Sequence, residues 1–578
     1  MRSLVPLLLA CLALAPLAAT AQETLPRATD ASDCPVPPEA EPEWWSAPER
    51  YAWRQVCAGE IADMRFATEA DGTRGADDGA GCRAFTPDPD DPTQLLEPDA
   101  WPATRDLSPR FLRQIAARAP FTEAPAMRAV RIYCADVTGP LSFRDEDVPQ
   151  TLWLLNSRLD AGLDLRDARV GGDLAFNGSL LPDLLDATGT QIVGDWFLQD
   201  VHARRIRALV AKIGGDVSAT GATFTGLFTA DRMEVGGSLF LQDMPSVAEV
   251  DLPGAKIGGV VSAERSTFTG PFDADRMEVG GDLFLRDMGG AQDMLLAGIR
   301  VRQDLQLHGS TITGAVNLTG AQIGGALELW QGGDEVAWQE GAALVLRNAS
   351  AGALQARMPE SWRVAGSGEA IRYDLQGFSY DRLGGNSSGA DHDLARANDA
   401  EALVDWLQAE RPPGMAAVTA YGPQPYRQLA EVLRAQGAEA QADRVDFARL
   451  MHRRATRFGD AVTTWDTMVA AFRWAVDTAA LVFVGFGVYP GVALGWFAAL
   501  VATGWAVARR SPDLAGQGTG KAFFYSLENA LPLIDLTGDF ADIRHAGAPR
   551  IAGFFHFQKV AGFVLATVLV GALTLLGG

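Results

Sequence analysis

Residues 211–233 read AKIGGDVSATGATFTGLFTADRM and residues 255–277 read AKIGGVVSAERSTFTGPFDADRM, so residue 255 resumes the pattern of residue 211 after 44 positions. Half that spacing, about 22 residues, governs a longer region, roughly 147–343. One aliphatic column has a member in every repeat: Val170, Ile192, Ile213, Val235, Ile257, Val279, Val301 and Ile323. A fixed period of this size is typical of a solenoid, in which each repeat buries its apolar face only against its neighbours.

The spacing within one repeat indicates which kind of solenoid to expect. A second apolar column follows the first by four residues, and a third follows by two more, as in Leu283-Phe284-Leu285. Alternation by two is the pattern of a β-strand with one buried face. Glycine pairs such as Gly258-Gly259 permit the tight corners. No helical pattern of ten residues fits within a repeat, so we predict a mainly β fold, a right-handed β-helix whose coils of about 22 residues alternate between two types.

The net charge of the chain limits the classes of partner that it can bind. The chain has 578 residues and a formal net charge of −23. Phosphate binding needs a basic surface, so this charge argues against a nucleic-acid partner.

The first residues resemble a secretory signal peptide. Arg2 precedes an apolar run at Leu4–Leu17, and Ala19-Thr20-Ala21 places cleavage before Gln22. Export would leave four cysteines ahead of the repeats: Cys34, Cys57, Cys82 and Cys134. An even number in an exported segment predicts two disulfides with three possible pairings. A metal site is disfavoured because this segment has no CxxC and no histidine precedes His202.

The C-terminal region has the composition of a membrane module. Apolar residues run from Thr478 to Ala508, interrupted by Tyr489-Pro490-Gly491, and again from Val560 to Leu576. Each run approaches the length needed to cross a bilayer. We predict two spans, with three as the alternative, because the segment before Pro490 begins as an amphipathic interfacial helix.

The predicted organisation divides the chain into eight parts. In order they are a signal peptide at 1–21, a disulfide-bearing segment and solenoid cap at 22–146, the β-helix at 147–383, a connector and α-hairpin at 384–460, an interfacial or re-entrant helix at 461–487, a transmembrane helix at 488–508, an inter-span loop at 509–551 and a transmembrane helix at 552–576.

Charges near the apolar runs bear on orientation. An exported N-terminal domain makes loop 509–550 cytoplasmic, and Arg509-Arg510 at its start agree with the positive-inside rule. Arg453, Arg454 and Arg457 then lie outside, either docked on anionic headgroups or too far from the span to matter. The α-hairpin that carries them resembles a single tetratricopeptide repeat, and we interpret it as a packing element.

The sequence predicts no catalytic residues, no cofactor and no metal site. The six histidines are scattered, and there is no HExxH or GxSxG motif. Residues Asp173, Asp195, Asp216, Asp282 and Asp304 share one register, which a carbohydrate-cleaving enzyme could use, but a role in capping corners explains them better.

The inter-span segment Phe523–Leu536 is too apolar for a free linker. A span, a re-entrant helix and a second span form the layout of a simple cation pore, for which the candidate residues are Glu528, Pro532, Asp535 and Asp539. The glycine-rich filter of such a pore is missing, so we expect this segment to pack its aromatic face on the spans.

Three motifs beside the repeats carry a family resemblance: PYRQLAEVLRAQG at 425–437, GFGVYPGVALGW at 485–496 and FFYSLENALPLIDL at 523–536. With them, residues 105–576 resemble a group of bacterial membrane-anchored proteins with pentapeptide-like repeats. The resemblance implies a bacterial inner-membrane protein and lends no catalytic residues.

These observations favour a membrane-anchored periplasmic binding or scaffold protein without catalytic activity. The expected partners are the lipid bilayer and an envelope protein or glycan, with no nucleic acid, and the oligomeric state stays open. The alternatives are a pore or transport-accessory protein built on the two-span module, and a β-helix enzyme acting on envelope polysaccharide.

Overall fold

The computed structural model describes residues 41–70, 72–88, 90–91, 93–96, 100–123, 129–385, 399–413, 422–459, 463–514, 518–531, 540, 543 and 548–576. The predicted signal peptide at 1–21 and Cys34 lie outside these residues.

The repeat region is a β-solenoid whose coils each contribute three short strand segments. The first column of strands is Arg169–Val170, Gln191–Ile192, Lys212–Ile213, Glu234–Val235, Lys256–Ile257, Glu278–Val279, Arg300–Val301 and the start of Gln322–Glu328. The second is Leu174–Ala175, Trp196–Phe197, Val217–Ser218, Leu239–Phe240, Val261–Ser262, Leu283–Phe284 and Leu305–Gln306. The third is Leu180–Asp186, His202–Arg207, Thr223–Thr229, Ser246–Asp251, Phe272–Asp273, Met294–Leu295, Ala315–Asn317, Ala343–Val345 and Arg372–Asp374. The first two columns belong to a 21-stranded sheet and the third to a 14-stranded sheet.

The strand register follows the repeat column. Ile257 pairs in parallel with Val235 on one side and Val279 on the other, and the same step continues along the column. The eight column residues from Val170 to Ile323 are at most 4% exposed. The predicted β-solenoid and its buried column are therefore confirmed.

The solenoid begins earlier than the repeat indicated. Strand Ala62–Asp63 pairs with Ala129–Tyr133, which pairs with Thr151–Leu155, and Asp106–Leu107 pairs with Asp136–Val137. The strands of the predicted solenoid cap therefore stack in the same sheets as the repeats. Ala129 pairs with Thr151, 22 positions later, although this coil lacks the glycine pair, whereas Ala62–Asp63 and Asp106–Leu107 pair outside the period.

Two helices close the N-terminal end of the solenoid: α1 (Ala47–Cys57) and α2 (Pro109–Ala117). Helix α1 begins with a capping box between Ser46 and Glu49. Trp45 lies with its ring centroid 5.0 Å from that of Phe111 and 6.0 Å from that of Trp53. This aromatic cluster shields the end of the core from water.

Three helices follow the last coil: α3 (Ala400–Gln408), α4 (Pro423–Ala435) and α5 (Glu439–Ala455). Gln424 and Gln428 of α4 donate to the carbonyl oxygens of Phe378 and Tyr380. An open strand edge is a template for unwanted pairing. The α4–α5 hairpin covers that edge, which confirms its interpretation as a packing element.

The C-terminal module contains α6 (Thr464–Val484), α7 (Pro490–Ala508), α8 (Thr519–Ala530) and α9 (Pro549–Leu576). Among the described residues, Thr464–Gly487 and Gly491–Ala508 are long and apolar enough to cross a membrane. The segment predicted as an interfacial or re-entrant helix at 461–487 contains one continuous helix of 21 residues, α6, and the predicted second span at 552–576 lies within α9.

Candidate binding surfaces of the solenoid

The aspartates that share one register hold the corners of the coils together. The Asp195 backbone N–H donates to Asp173 Oδ1 at 3.0 Å, and the Asp216 N–H donates to Asp195 Oδ1 at 2.7 Å. The same bond joins Asp304 to Asp282, and Ser238 replaces the carboxylate with its hydroxyl. Each carboxylate therefore satisfies a backbone donor of the next coil, as the corner-capping interpretation predicted.

A groove of about 1070 Å³ runs along the first corner of the coils. Glycines form its floor because a Cβ on Gly258 would overlap the carbonyl oxygen of Gly236. Charged side chains line one wall, and those in adjacent coils pair with each other: Lys212 with Glu234 at 3.1 Å, and Arg300 with Glu278 at 3.2 Å. The close stacking of the coils thus explains the glycine floor of the groove, and the pairing of opposite charges between coils explains its charged wall.

The outward face of the second strand column carries a regular row of aromatic rings. One register column contains Trp153, Ala175, Phe197, Ser218, Phe240, Ser262 and Phe284 in successive coils. An aromatic side chain, half-buried in each case, therefore stands in every second coil. Adjacent coils are separated by about 4.8 Å, so the rings recur about every 9.6 Å along the solenoid.

Hydrogen-bonding side chains run beside this aromatic row. Gln199 Nε2 donates to Ser218 Oγ at 3.2 Å, and Ser262 Oγ donates to Gln242 Oε1 at 3.2 Å. The guanidinium of Arg286 lies 5.1 Å from the centroid of the Phe284 ring. Phe197 and Phe240 thus each have a glutamine amide beside the ring, and Phe284 has a guanidinium group.

Sequence reasoning missed this row, although the signal was present. Phe240 and Phe284 are 44 positions apart and stand between the two buried columns, in the alternation that points them outward. The alternation of two coil types therefore predicts a ring on every second coil, provided that the outward positions are read as well as the inward ones.

A buried polar cluster lies at the far end of the same face. His308 Nε2 is 4.0 Å from Glu328 Oε2, and these side chains are 6% and 3% exposed as whole residues. Burial raises the pKa of Glu328 to about 7, with further increases from the carboxylates of Asp304 and Asp282. Burial lowers the pKa of His308, and Arg286 lowers it further. These shifts favour a neutral pair around neutral pH. No sequence motif marks the pair, because its members are brought together only by coil stacking.

The cysteines that the structure describes lie in the N-terminal cap. Cys82 and Cys134 form a disulfide with their Cα atoms 5.5 Å apart. Cys57 is also disulfide-bonded, while Cys34 lies outside the described residues. The expectation of a disulfide-bearing segment is confirmed for the Cys82–Cys134 pair.

Helix α8 is held between α7 and α9 by buried polar side chains. Ser526 Oγ donates to the carbonyl of Val501 at 2.8 Å, and Gln558 Nε2 donates to Ser526 Oγ at 2.8 Å. Both side chains belong to fully buried residues. Interhelical hydrogen bonds of this kind are typical of packed membrane helices.

The predicted pore residues fall partly on this helix. Glu528 is half-buried on α8, whereas Pro532, Asp535 and Asp539 lie outside the described residues. Tyr525 packs on Phe555 as the anchor interpretation expects, but Phe523 and Phe524 are 42% and 48% exposed. Of these three aromatic residues, Tyr525 is therefore the one that packs on the neighbouring helix. The packed side of α8 consists of Ala522, Tyr525, Ser526 and Ala530, which helical periodicity places on one face, and Phe523 and Phe524 lie off that face.

Comparison with known proteins adds no assignment: no family model, no curated protein and no solved structure matches this chain.

Proposed function

We propose that this chain is a membrane-anchored binding and scaffold protein whose solenoid takes an extended envelope glycan on the aromatic row defined by Trp153, Phe197, Phe240 and Phe284. The spacing of that row carries the proposal. Its repeat of about 9.6 Å is close to the length of two pyranose units in an extended β-linked chain, which gives about one sugar per coil.

The chemistry of the row supports a glycan over a protein partner. A pyranose ring has an apolar face of C–H groups that stacks on an aromatic ring, and hydroxyls at its edge that hydrogen-bond to amides and hydroxyls. Phe240 supplies such a ring, and the half-buried side chain of Gln242 supplies a neighbouring amide. A row of aromatic rings at a regular interval suits a polymer with a repeating unit.

The location proposed is the periplasmic side of the inner membrane of a bacterium. The predicted signal peptide at 1–21, the Cys82–Cys134 disulfide and helix α7 support it. In this arrangement the solenoid meets the envelope while α7, α8 and α9 anchor it.

The two alternatives are less well supported by geometry. The register aspartates, offered for an enzyme acting on polysaccharide, are engaged in holding the coil corners. For the pore alternative, Ser526, Asn529 and Gln558 bond to neighbouring helices, which suits a packed anchor.

A co-sedimentation experiment tests the glycan. The full chain in detergent is mixed with insoluble cell-wall glycan, with and without soluble glycan fragments as competitor. Phe240→Ala combined with Phe284→Ala removes two stacking platforms. At about 1 kcal/mol per ring, the double variant should bind at least about tenfold more weakly.

Leu295→Ala is the matched control, because Leu295 is an exposed apolar residue on a different face of the solenoid. It should bind like the parent. Equal binding by the aromatic double variant, or no sedimentation of the parent with any envelope polysaccharide tested, would exclude the aromatic row as a glycan site.

A further inference from the structure

Helix α6 presents an apolar stripe to its surroundings. Trp465, Met468, Phe472, Val476 and Phe483 are between 47% and 71% exposed. Their spacing of three, four, four and seven residues places them on one side of the helix. The exposed side of an ordinary surface helix is polar, whereas this exposed side of α6 is apolar.

The opposite side of α6 carries a buried charge that α5 neutralises. Asp477 is 5% exposed and accepts hydrogen bonds from Arg453 at 2.9 Å and from Arg457 at 2.8 Å. Arg454 donates to Thr478 Oγ1 at 2.8 Å and stacks over the Trp474 ring at 4.7 Å. The three arginines, whose position next to the membrane was difficult to reconcile with topology, are thus engaged with α6.

Helix α5 also contacts the turn that follows α6. Phe447 of α5 lies 5.8 Å from Phe486 and 5.2 Å from Tyr489, measured between ring centroids. Helix α5 therefore contacts α6 at residues 474–478 and contacts the turn before α7 at Phe486 and Tyr489. That turn is sharp, because Gly485, Phe486 and Gly487 all have positive φ.

These contacts decide how α6 can meet a bilayer. If α6 crossed the membrane, α5 would be drawn into the hydrocarbon together with charged residues such as Arg444, Asp446 and Arg449. Charges at that depth are costly. The part of α6 that α5 does not cover, Thr464–Arg473, is about 15 Å long as a helix, about half the thickness of the hydrocarbon core.

We propose that α6 lies along the lipid surface, with the stripe from Trp465 to Phe483 among the upper acyl chains and Asp477 facing the arginines of α5. The lipid bilayer is the partner of this stripe, because α6 leads directly into the span α7. Trp496 near the start of α7 donates to the carbonyl of Val482 at 2.7 Å and packs on Phe483. Tryptophan prefers this interfacial depth.

In this arrangement the solenoid is attached to the membrane through packed helices and not through a flexible linker. The last coil is bonded to α4, α4 and α5 form one hairpin, and α5 is ion-paired to a helix embedded in the surface. The inference rests on the membrane anchorage in the proposed function and is independent of the glycan.

Depth measurements with nitroxide labels test it. The disulfide-oxidised full chain is placed in vesicles of phosphatidylethanolamine and phosphatidylglycerol, with one label at a time through Met468→Cys, Phe472→Cys, Val476→Cys or Phe483→Cys. These side chains are exposed, so the fold tolerates the replacements. The four labels should lie at one shallow depth, within about 5 Å, whereas a spanning helix would separate Met468 and Phe483 by about 22 Å.

Leu494→Cys, Ala498→Cys and Ala502→Cys on α7 are the matched controls and should descend progressively toward the bilayer centre. A depth profile through the centre for the α6 labels would overturn the proposal, and so would α6 labels that remain in water while α7 inserts. If the α7 labels also remain in water, membrane anchorage itself fails. The glycan experiment is unaffected by any of these results.

Discussion

The side chain of Gln436 at the end of α4 bonds to both backbone groups of Leu383, the last residue of the solenoid edge that it covers. Its Oε1 accepts from the Leu383 N–H at 2.9 Å, and its Nε2 donates to the Leu383 carbonyl at 3.0 Å. The Gln436 side chain thus makes, at Leu383, the two hydrogen bonds that the backbone of a further strand would have made.

Gln436→Ala should therefore weaken the C-terminal cap. It leaves a buried backbone donor and acceptor without partners, at a cost of about 1–3 kcal/mol. Hydrogen exchange at Leu383 and Tyr380 should accelerate, and the chain should self-associate more readily through the uncovered edge. Glu431→Ala, at an exposed position on the same helix, should change neither quantity. Equal exchange in the two variants would contradict the role of the cap.

Ile257→Asp should unfold the middle of the solenoid. The new carboxylate would be buried without a partner between Val235 and Val279, at a cost of about 3–5 kcal/mol. Thermal unfolding followed by circular dichroism, together with limited proteolysis, measures the effect. Lys256→Gln changes the exposed neighbour in the same strand and should leave both readouts unchanged.

The Cys82–Cys134 disulfide should contribute substantially to the stability of the N-terminal cap. It closes a loop with a sequence separation of 52 residues, for which chain entropy gives about 4 kcal/mol. Replacing both cysteines by serine should lower the melting temperature of the cap. Intact-mass analysis with and without reduction should show two disulfides in the mature chain, and free thiols in the native protein would contradict this.

The raised pKa of Glu328 makes stability depend on pH. The folded state holds the proton up to pH of about 7, whereas the unfolded chain releases it near the ordinary value of 4.5. Between these values the folded state binds more protons, so Glu328 lowers stability as pH rises, by about 3 kcal/mol in total. Glu328→Gln should raise the melting temperature at pH 8 but change it little at pH 4. The exposed control Glu369→Gln should show no such contrast.

The orientation of the membrane module gives a labelling prediction. A cysteine introduced at Gly516 should be shielded from membrane-impermeant reagents in intact cells if loop 509–550 is cytoplasmic. A cysteine at Gly389, in the connector that precedes the α-hairpin, should be labelled once the outer membrane is permeabilised. The opposite pattern would reverse the proposed topology.

The sequence alone determined the solenoid, because a coil that must stack on copies of itself repeats its buried side chains and glycine corners at a fixed interval. Val170 to Ile323 could be assigned to the core, and Asp173 and its register partners to the corners, without coordinates. The aromatic row could also have been predicted from the repeat, because Phe240 and Phe284 occupy equivalent outward positions.

Only the tertiary structure showed the rest, because those features depend on contacts without a period. Strand Ala62–Asp63 joins the solenoid by pairing with Ile132 and Tyr133, far outside the repeat period. His308 meets Glu328 through the stacking of two coils. The pairing of Asp477 with Arg453 and Arg457 follows from how the chain around α5 folds back on α6. Hydropathy measures only the composition of a segment. Whether that segment can enter a bilayer also depends on which other parts of the chain are packed against it and would have to enter with it.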